Sequence, residues 1–283
     1  DADRRLREIK RTPRRFSVLA VSVASAVLAS SVAVMIGASP AAAVITVLVV
    51  LVVTGVNRVH SGFDLPEFYG NAINALVATV LAGLAYAVAT LVGSPLGEQD
   101  FAFIVAGGIV AMLPGRTMAA AIEDVLFGFP LTGAGRLLSV LVALMGLIIG
   151  IGAGLKVMLW ITTVLDTQFV SPTVLELRTD QGALVTALLG ALFVGLSAAV
   201  TVQSRAQLIL PTGLLSVGAA TIGAILQRSL EFGVITATGF AAIALGAVGR
   251  VVAARLRVPS VVVIVPASFA LLPGLTIFRG LYE

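Results

Sequence analysis

Residues Phe16–Asn57 read FSVLAVSVASAVLASSVAVMIGASPAAAVITVLVVLVVTGVN, 42 positions without one charged side chain. A helix needs about 20 apolar residues to cross a bilayer, so this stretch is long enough for two crossings. Gly37-Ala38-Ser39-Pro40 in its middle is a turn signal and divides it into spans near 16–37 and 40–56. The apolar runs are continuous rather than alternating, which selects helices and excludes a lipid-facing barrel. A cleavable signal peptide is excluded as well. Its apolar core covers about 7–15 residues, whereas Phe16–Gly37 covers 22 and another apolar run follows at once.

Working outward, a polar hairpin at 57–70 is followed by apolar runs near 71–93, 101–122, 137–160, 182–203, 206–227, 232–254 and 258–278. The fold class is therefore all-α, a polytopic transmembrane bundle with nine spans in this chain. Composition agrees: 59% of the residues are hydrophobic and 11% charged, where a soluble domain carries roughly 25% charged residues. The absence of cysteine removes disulfide scaffolds, thiol enzymes and Cys-based metal sites. There is one His, so no His pair, and no phosphate loop of the Gly-x-x-x-x-Gly-Lys type. The sequence predicts no enzyme, no cofactor, no metal and no ATP drive.

Charge placement sets orientation. Arg4, Arg5, Arg7, Lys10, Arg11, Arg14 and Arg15 stop where the apolar sequence begins, a basic flank on the cytoplasmic side of a first span. No aromatic or Gly-rich reader accompanies it, so nucleic-acid binding is not the reading. With the N-terminus inside, 14 of the 18 basic residues fall in inner segments. The other four, Lys156, Arg178, Arg228 and Arg279, fall in outer ones. The organisation is then a basic flank at 1–15, a first membrane repeat at 16–160, a polar outer connection at 161–181 and a second repeat at 182–283. The first residue is Asp1 rather than Met, so an upstream piece is expected.

Ala111-Met112-Leu113-Pro114-Gly115-Arg116-Thr117-Met118 aligns with Ala270-Leu271-Leu272-Pro273-Gly274-Leu275-Thr276-Ile277, with five of eight positions identical. Each copy sits in the fourth span of its half. A tandem unit of five spans must invert, so the expectation is two inverted repeats, each with a Pro-Gly broken fourth helix. Proline inside a helix removes a hydrogen bond and costs about 3 kcal/mol. Paired interruptions in corresponding positions point to a substrate site. An internal inverted repeat also points to alternating access rather than to a channel or a packing subunit, which is the runner-up class.

The candidate substrate-binding residues are Pro114, Gly115, Thr117, Pro273, Gly274 and Thr276: backbone N–H groups for a carboxylate, and two hydroxyls. Glu123 and Asp124 follow the first break by about two turns and read either as proton-coupling or ammonium-binding acids or as a helix end paired with Arg116 or Arg136. Arg116 itself reads as a carboxylate clamp or an interfacial anchor. Asn71 and Asn74 share a helix face and read as lining the path or, preferably, as bridging helices; Lys156 reads as snorkelling, and His60 as a solvated loop residue in preference to a pH sensor. Gly146-x-x-x-Gly150-x-x-x-Gly154 is a close-packing ridge, and Gly218, Gly223, Gly239 and Gly246 suggest the same.

GGIVAMLPGRTMAAAIEDVLFGFPLTGAGRLLSVL (Gly107–Leu141) and VVIVPASFALLPGLTIFRGLY (Val262–Tyr282) resemble the threonine/serine exporter family. The Leu-Pro-Gly, Glu-Asp and Gly-x-Gly-Arg series at 113–115, 123–124 and 133–136 carries the likeness, which runs from about Arg14 to the end. The resemblance implies a bacterial inner-membrane secondary exporter of threonine and serine driven by the proton motive force, with the lipid bilayer and protons as its partners. It implies ten spans in full-length members, against nine here, and a soluble N-terminal region. Split relatives suggest a small dicarboxylate as the alternative substrate. A homo-oligomer is compatible with the sequence.

Overall fold

The computed structural model describes residues 15–271 except 64, 94, 95, 98, 111 and 165–183. Ten helices lie among the described residues: α1 (Val18–Ile36), α2 (Pro40–His60), α3 (Glu67–Leu91), α4 (Asp100–Val110), α5 (Gly115–Leu126), α6 (Pro130–Val164), α7 (Leu184–Thr201), α8 (Ala206–Ser229), α9 (Val234–Arg255) and α10 (Val261–Ser268). No strand occurs among the described residues. Seven helices, α1 to α3 and α6 to α9, are long and apolar enough to cross a membrane, while α4 and α10 are short apolar helices.

The expected break of the fourth span is present in the first half. The run at 101–122 divides into α4 and α5 around Leu113–Pro114, because the proline ring cannot continue α4. The run at 258–278 appears as α10 and a 3₁₀ turn at Phe269–Leu271, beyond which the described residues end. Helix ends also differ from the hydropathy reading. The expected hairpin at 57–70 shrinks, since α2 continues to His60 and α3 already starts at Glu67. Arg58 and His60 in the last turn of α2 and Glu67 in the first turn of α3 suit the helix dipoles, so polar residues extend these helices instead of ending them.

The turn between α1 and α2 follows its sequence signal. Gly37 adopts a left-handed conformation (φ 116°), and Ser39 caps α2 by accepting from Ala42 N–H (3.2 Å), with Pro40 at the first helical position. This turn also holds α4: Asp100 Oδ1 accepts from Ser39 N–H (2.9 Å) and Oδ2 from Gly97 N–H (2.8 Å). Every residue of α4 from Asp100 to Val110 is buried. Its core partners come from α2, α3 and α6, including Val49, Ala78, Leu147 and Ile151.

The opposite end of the bundle is basic. Phe16 N–H donates to Gln203 Oε1 (2.9 Å), and Arg58 Nη2 donates to Val18 O (3.1 Å) and to Ser22 Oγ. These bonds join the start of α1 to the end of α2 and to the turn after α7. α10 starts from this end, and α4 from the other. Both finish in one apolar cluster, where Val110 and Leu113 meet Phe269 and Ala270 between Leu28 and Val32 of α1 and Ala191 and Val194 of α7. The neighbour scheme recurs: α1 to α3 surround α4 as α7 to α9 surround α10, and α1 against α7 joins the halves.

In the first half α6 also packs along α3, and the glycine ridge is the reason. A β-carbon at Gly146 or Gly150 would strike the carbonyl oxygens of Phe68 or Ala72, and one at Gly154 would stand 2.7 Å from Thr79 Cβ. The same reading fails for Gly218, Gly239 and Gly246, around which a β-carbon would meet nothing within 4 Å; Gly223 makes only an ordinary approach to Ala241 Cβ (3.9 Å). Those glycines lie away from described neighbours, so their spacing alone did not report packing. Gly150→Ala is expected to lower stability in detergent by about 1–3 kcal/mol through overpacking against backbone. Gly152→Ala, two positions on with open space around it, is expected to be neutral or slightly stabilising. Thermal unfolding of the two variants side by side checks both.

Candidate functional site

The site starts with the break between α4 and α5. Met112 N–H donates to Ile109 O (2.8 Å) and Leu113 N–H to Val110 O (3.3 Å), closing α4 with tight turns. Pro114 (φ −78°, ψ 47°) precedes α5 and provides no side-chain cap. Gly115 N–H turns back to Leu113 O (2.8 Å). The next amides of α5, at Arg116 and Thr117, belong to the first turn, which has no intrahelical acceptors.

Beside the break lies a cavity of about 530 Å³, within the range of about 300–1,000 Å³ common for small-ligand sites. Leu28, Val50, Val53, Gly108, Met112, Leu113 and Pro114 form its apolar wall. Ser25, Thr54, Asn57, Glu67, Asn71, Asn74 and Thr117 form its polar one, and Thr201, Val202 and Phe269 contribute from the second half. Asn57 and Glu67 belong to the ends of α2 and α3 joined by a short hairpin, and Thr201 ends α7. The cavity therefore runs from the basic end of the bundle to the break. Among the described lining residues Glu67 is the one charged side chain.

A hydrogen-bonded chain organises the polar wall. Buried Asn74 donates through Nδ2 to Asn57 Oδ1 (2.9 Å), while His60 Nε2 lies 3.0 Å from Asn74 Oδ1. Asn71 Nδ2 donates to Ala143 O on α6 (3.3 Å). Ser25 and Thr54 give their hydroxyl protons to the carbonyls of Val21 (3.0 Å) and Val50 (2.7 Å), leaving oxygen lone pairs as acceptors.

Of the residues expected at the site, Pro114 and Thr117 line the cavity and Gly115 starts α5 beside it. Pro273, Gly274 and Thr276 lie outside the described residues, as does the side chain of Arg116. Asp124 is placed elsewhere: its Oδ2 pairs with Arg136 Nη1 at 2.8 Å, joining α5 to α6. An ion pair this exposed contributes at most about 1 kcal/mol. Glu123 lines a separate, mostly apolar space of about 270 Å³ between α5 and α10, with Ala119, Val261 and Pro266. Among the described residues no group of three His, Asp or Glu stands together as a metal site.

One reading changes. His60 is not a loop residue; it ends α2 and bonds to Asn74. For Asn71 and Asn74 both readings hold, since they bridge helices and line the cavity. Asn57 and Glu67 were missed because the polar hairpin was set apart from the spans. The signal was present nonetheless, since Glu67, Asn71 and Asn74 follow i, i+4, i+7 spacing on one face of α3.

A family model described as "Putative threonine/serine exporter" matches residues 1–158. The chain is 24% identical over 281 residues to the "Threonine/serine exporter" of Corynebacterium glutamicum, covering 99% of this chain and 55% of that protein. It is 26% identical over 276 residues to the "Probable threonine/serine exporter" of Mycobacterium tuberculosis strain H37Rv, covering 97% of this chain and 50% of that protein. The chain thus spans about half the length of these curated relatives. No solved structure matches. The match runs through α1 to α5 and most of α6, taking in the glycine ridge and the first Leu-Pro-Gly break; the chain belongs to the threonine/serine exporter family.

Proposed function

We propose that this protein is a secondary exporter of small zwitterionic amino acids, threonine and serine, and not an enzyme. It works by alternating access in the bacterial inner membrane with its N-terminus in the cytoplasm. The observation that carries the reading is the cavity between the basic end and the Leu-Pro-Gly break, with one carboxylate and no basic residue among its described lining side chains. A zwitterion fits such a wall. A small dicarboxylate would bring two negative charges to it and find no cation among the described lining residues, which disfavours that alternative. The relatives' names support the same substrate class.

The break suits a zwitterion for a second reason. α4 ends there with the partial negative charge of a helix C-terminus, and α5 begins a few residues later with the partial positive charge of an N-terminus. First-turn amides of α5 and the Thr117 hydroxyl receive the carboxylate, and we assign Pro273, Gly274 and Thr276 the matching part in an inverted second repeat. Beyond the break the cavity meets the apolar cores around α4 and around Val110 and Ala270.

Export against a gradient requires coupling, and protons supply it. We assign the coupling to Asp124: protonating it dissolves its pair with Arg136 and frees α5 to move against α6. Proteoliposomes loaded with labelled threonine are expected to show counterflow against external unlabelled threonine. Flux without counterflow would mean a channel, and no flux of threonine or serine would end the substrate assignment.

An imposed pH gradient is expected to accelerate threonine accumulation. Asp124→Asn is expected to abolish this pH effect while leaving counterflow in place. Retained pH dependence in that variant would remove Asp124 from the coupling role.

A further inference from the structure

We infer that Glu67 and Asn71 form the subsite for the substrate's α-ammonium group, with Asn57 as a facing donor, an assignment that rests on the amino-acid exporter reading above. Glu67 opens α3, and an acid in a first turn suits the dipole of any helix. That reason does not account for its position on the cavity wall, where it is the one charged described residue. Nor is it engaged by a cation: among the described residues its carboxylate makes no ion pair. Arg58, in the last turn of α2, is directed instead to Val18 O and Ser22 Oγ on α1, and Arg136 is held by Asp124.

Hydrogen-bond bookkeeping orients the neighbouring amides. Asn71 has a carbonyl, Ala143 O, as its partner, so it must present Nδ2 there, which leaves Oδ1 as an acceptor. Glu67 and Asn71 are four residues apart on one helix face, so two acceptors stand one turn apart on the wall that α3 contributes. Asn74 spends its Nδ2 on Asn57 Oδ1; its own Oδ1 must then accept from His60 Nε2–H, which fixes the proton on that nitrogen. Asn57, having accepted through Oδ1, keeps its Nδ2 protons for a ligand. The wall therefore offers acceptors on α3 and a donor on α2. An ammonium carries three N–H donors and a carboxylate carries acceptors only, so an α-amino acid matches this arrangement and a simple hydroxy acid does not.

The test compares threonine with 3-hydroxybutyrate, which keeps the hydroxyl and carboxylate but lacks the ammonium. Each is tried as an inhibitor of labelled-threonine counterflow in proteoliposomes containing the full chain, and the ratio of their half-inhibitory concentrations is read. The unsubstituted protein is expected to favour threonine by about ten- to hundredfold, the worth of a hydrogen bond to a charged group. Glu67→Gln is expected to bring the ratio close to one, by weakening threonine and sparing 3-hydroxybutyrate. A merely structural role for Glu67 would weaken both ligands alike and leave the ratio unchanged, which would overturn the assignment. Asn71→Leu keeps the charge and removes one acceptor, so it reads the same ratio if Glu67→Gln does not yield folded protein; a fall of about two- to tenfold is expected, and an unchanged ratio counts against the subsite. Absence of threonine counterflow in the unsubstituted protein is a different result, since it overturns the exporter reading and this assignment with it.

Discussion

A helix broken inside hydrocarbon leaves backbone N–H and C=O groups that lipid cannot satisfy, and the rest of this bundle answers to that constraint. The break at Pro114 is tolerable because α4 is enclosed over its whole length, from Asp100 to Val110. α1, α2 and α3 surround it, and Asp100 fastens its start to the turn between α1 and α2 through Ser39. The free end meets the end of α10 in a cluster roofed by α1 and α7. What looks like a weak point in the sequence is thus the most protected part of the first half.

Enclosure at one side and opening at the other follow from the same arrangement. Near the break, aliphatic residues of α1, α2 and α4 leave a cavity rather than a filled core, and its polar groups come from helix ends that extend toward the basic face. The one charge among the described lining residues, Glu67, belongs to such a helix end and is exposed. Two carboxylates, one away from the cavity wall and one on it, face different surroundings. Asp124 is matched by Arg136 across α5 and α6, while Glu67 stands on the cavity wall with no ion pair among the described residues. The first suits a part in moving α5, and the second a part in choosing the ligand.

The helical architecture was largely legible from residues 16–57 outward, because continuous apolar runs separated by turn residues leave few alternatives. Gly37–Pro40 and Leu113–Gly115 were read correctly as interruptions since each acts locally, through a left-handed glycine, a capping serine or a proline that cannot donate. The glycine ridge of α6 was read correctly too, but Gly218, Gly239 and Gly246 show that small residues permit close approach without requiring it. Helix ends were less legible. A hydropathy boundary marks where lipid contact ceases, whereas backbone hydrogen bonding carries α2 on to His60 and starts α3 at Glu67.

The site divides along the same line. By itself the sequence determined an all-helical membrane bundle, the asymmetry of its basic residues and the place where the fourth span breaks, all properties of contiguous residues in a solvent that pairs with no backbone group. Only the tertiary structure decided which polar groups share a wall. Asn57, His60 and Asn74 become one chain because α2 and α3 fold back side by side, and Glu67 joins the cavity because its face of α3 turns toward α1 and α4. The i, i+4, i+7 spacing groups Glu67, Asn71 and Asn74 on one face of α3, but which residues of other helices meet that face depends on how separate helices pack.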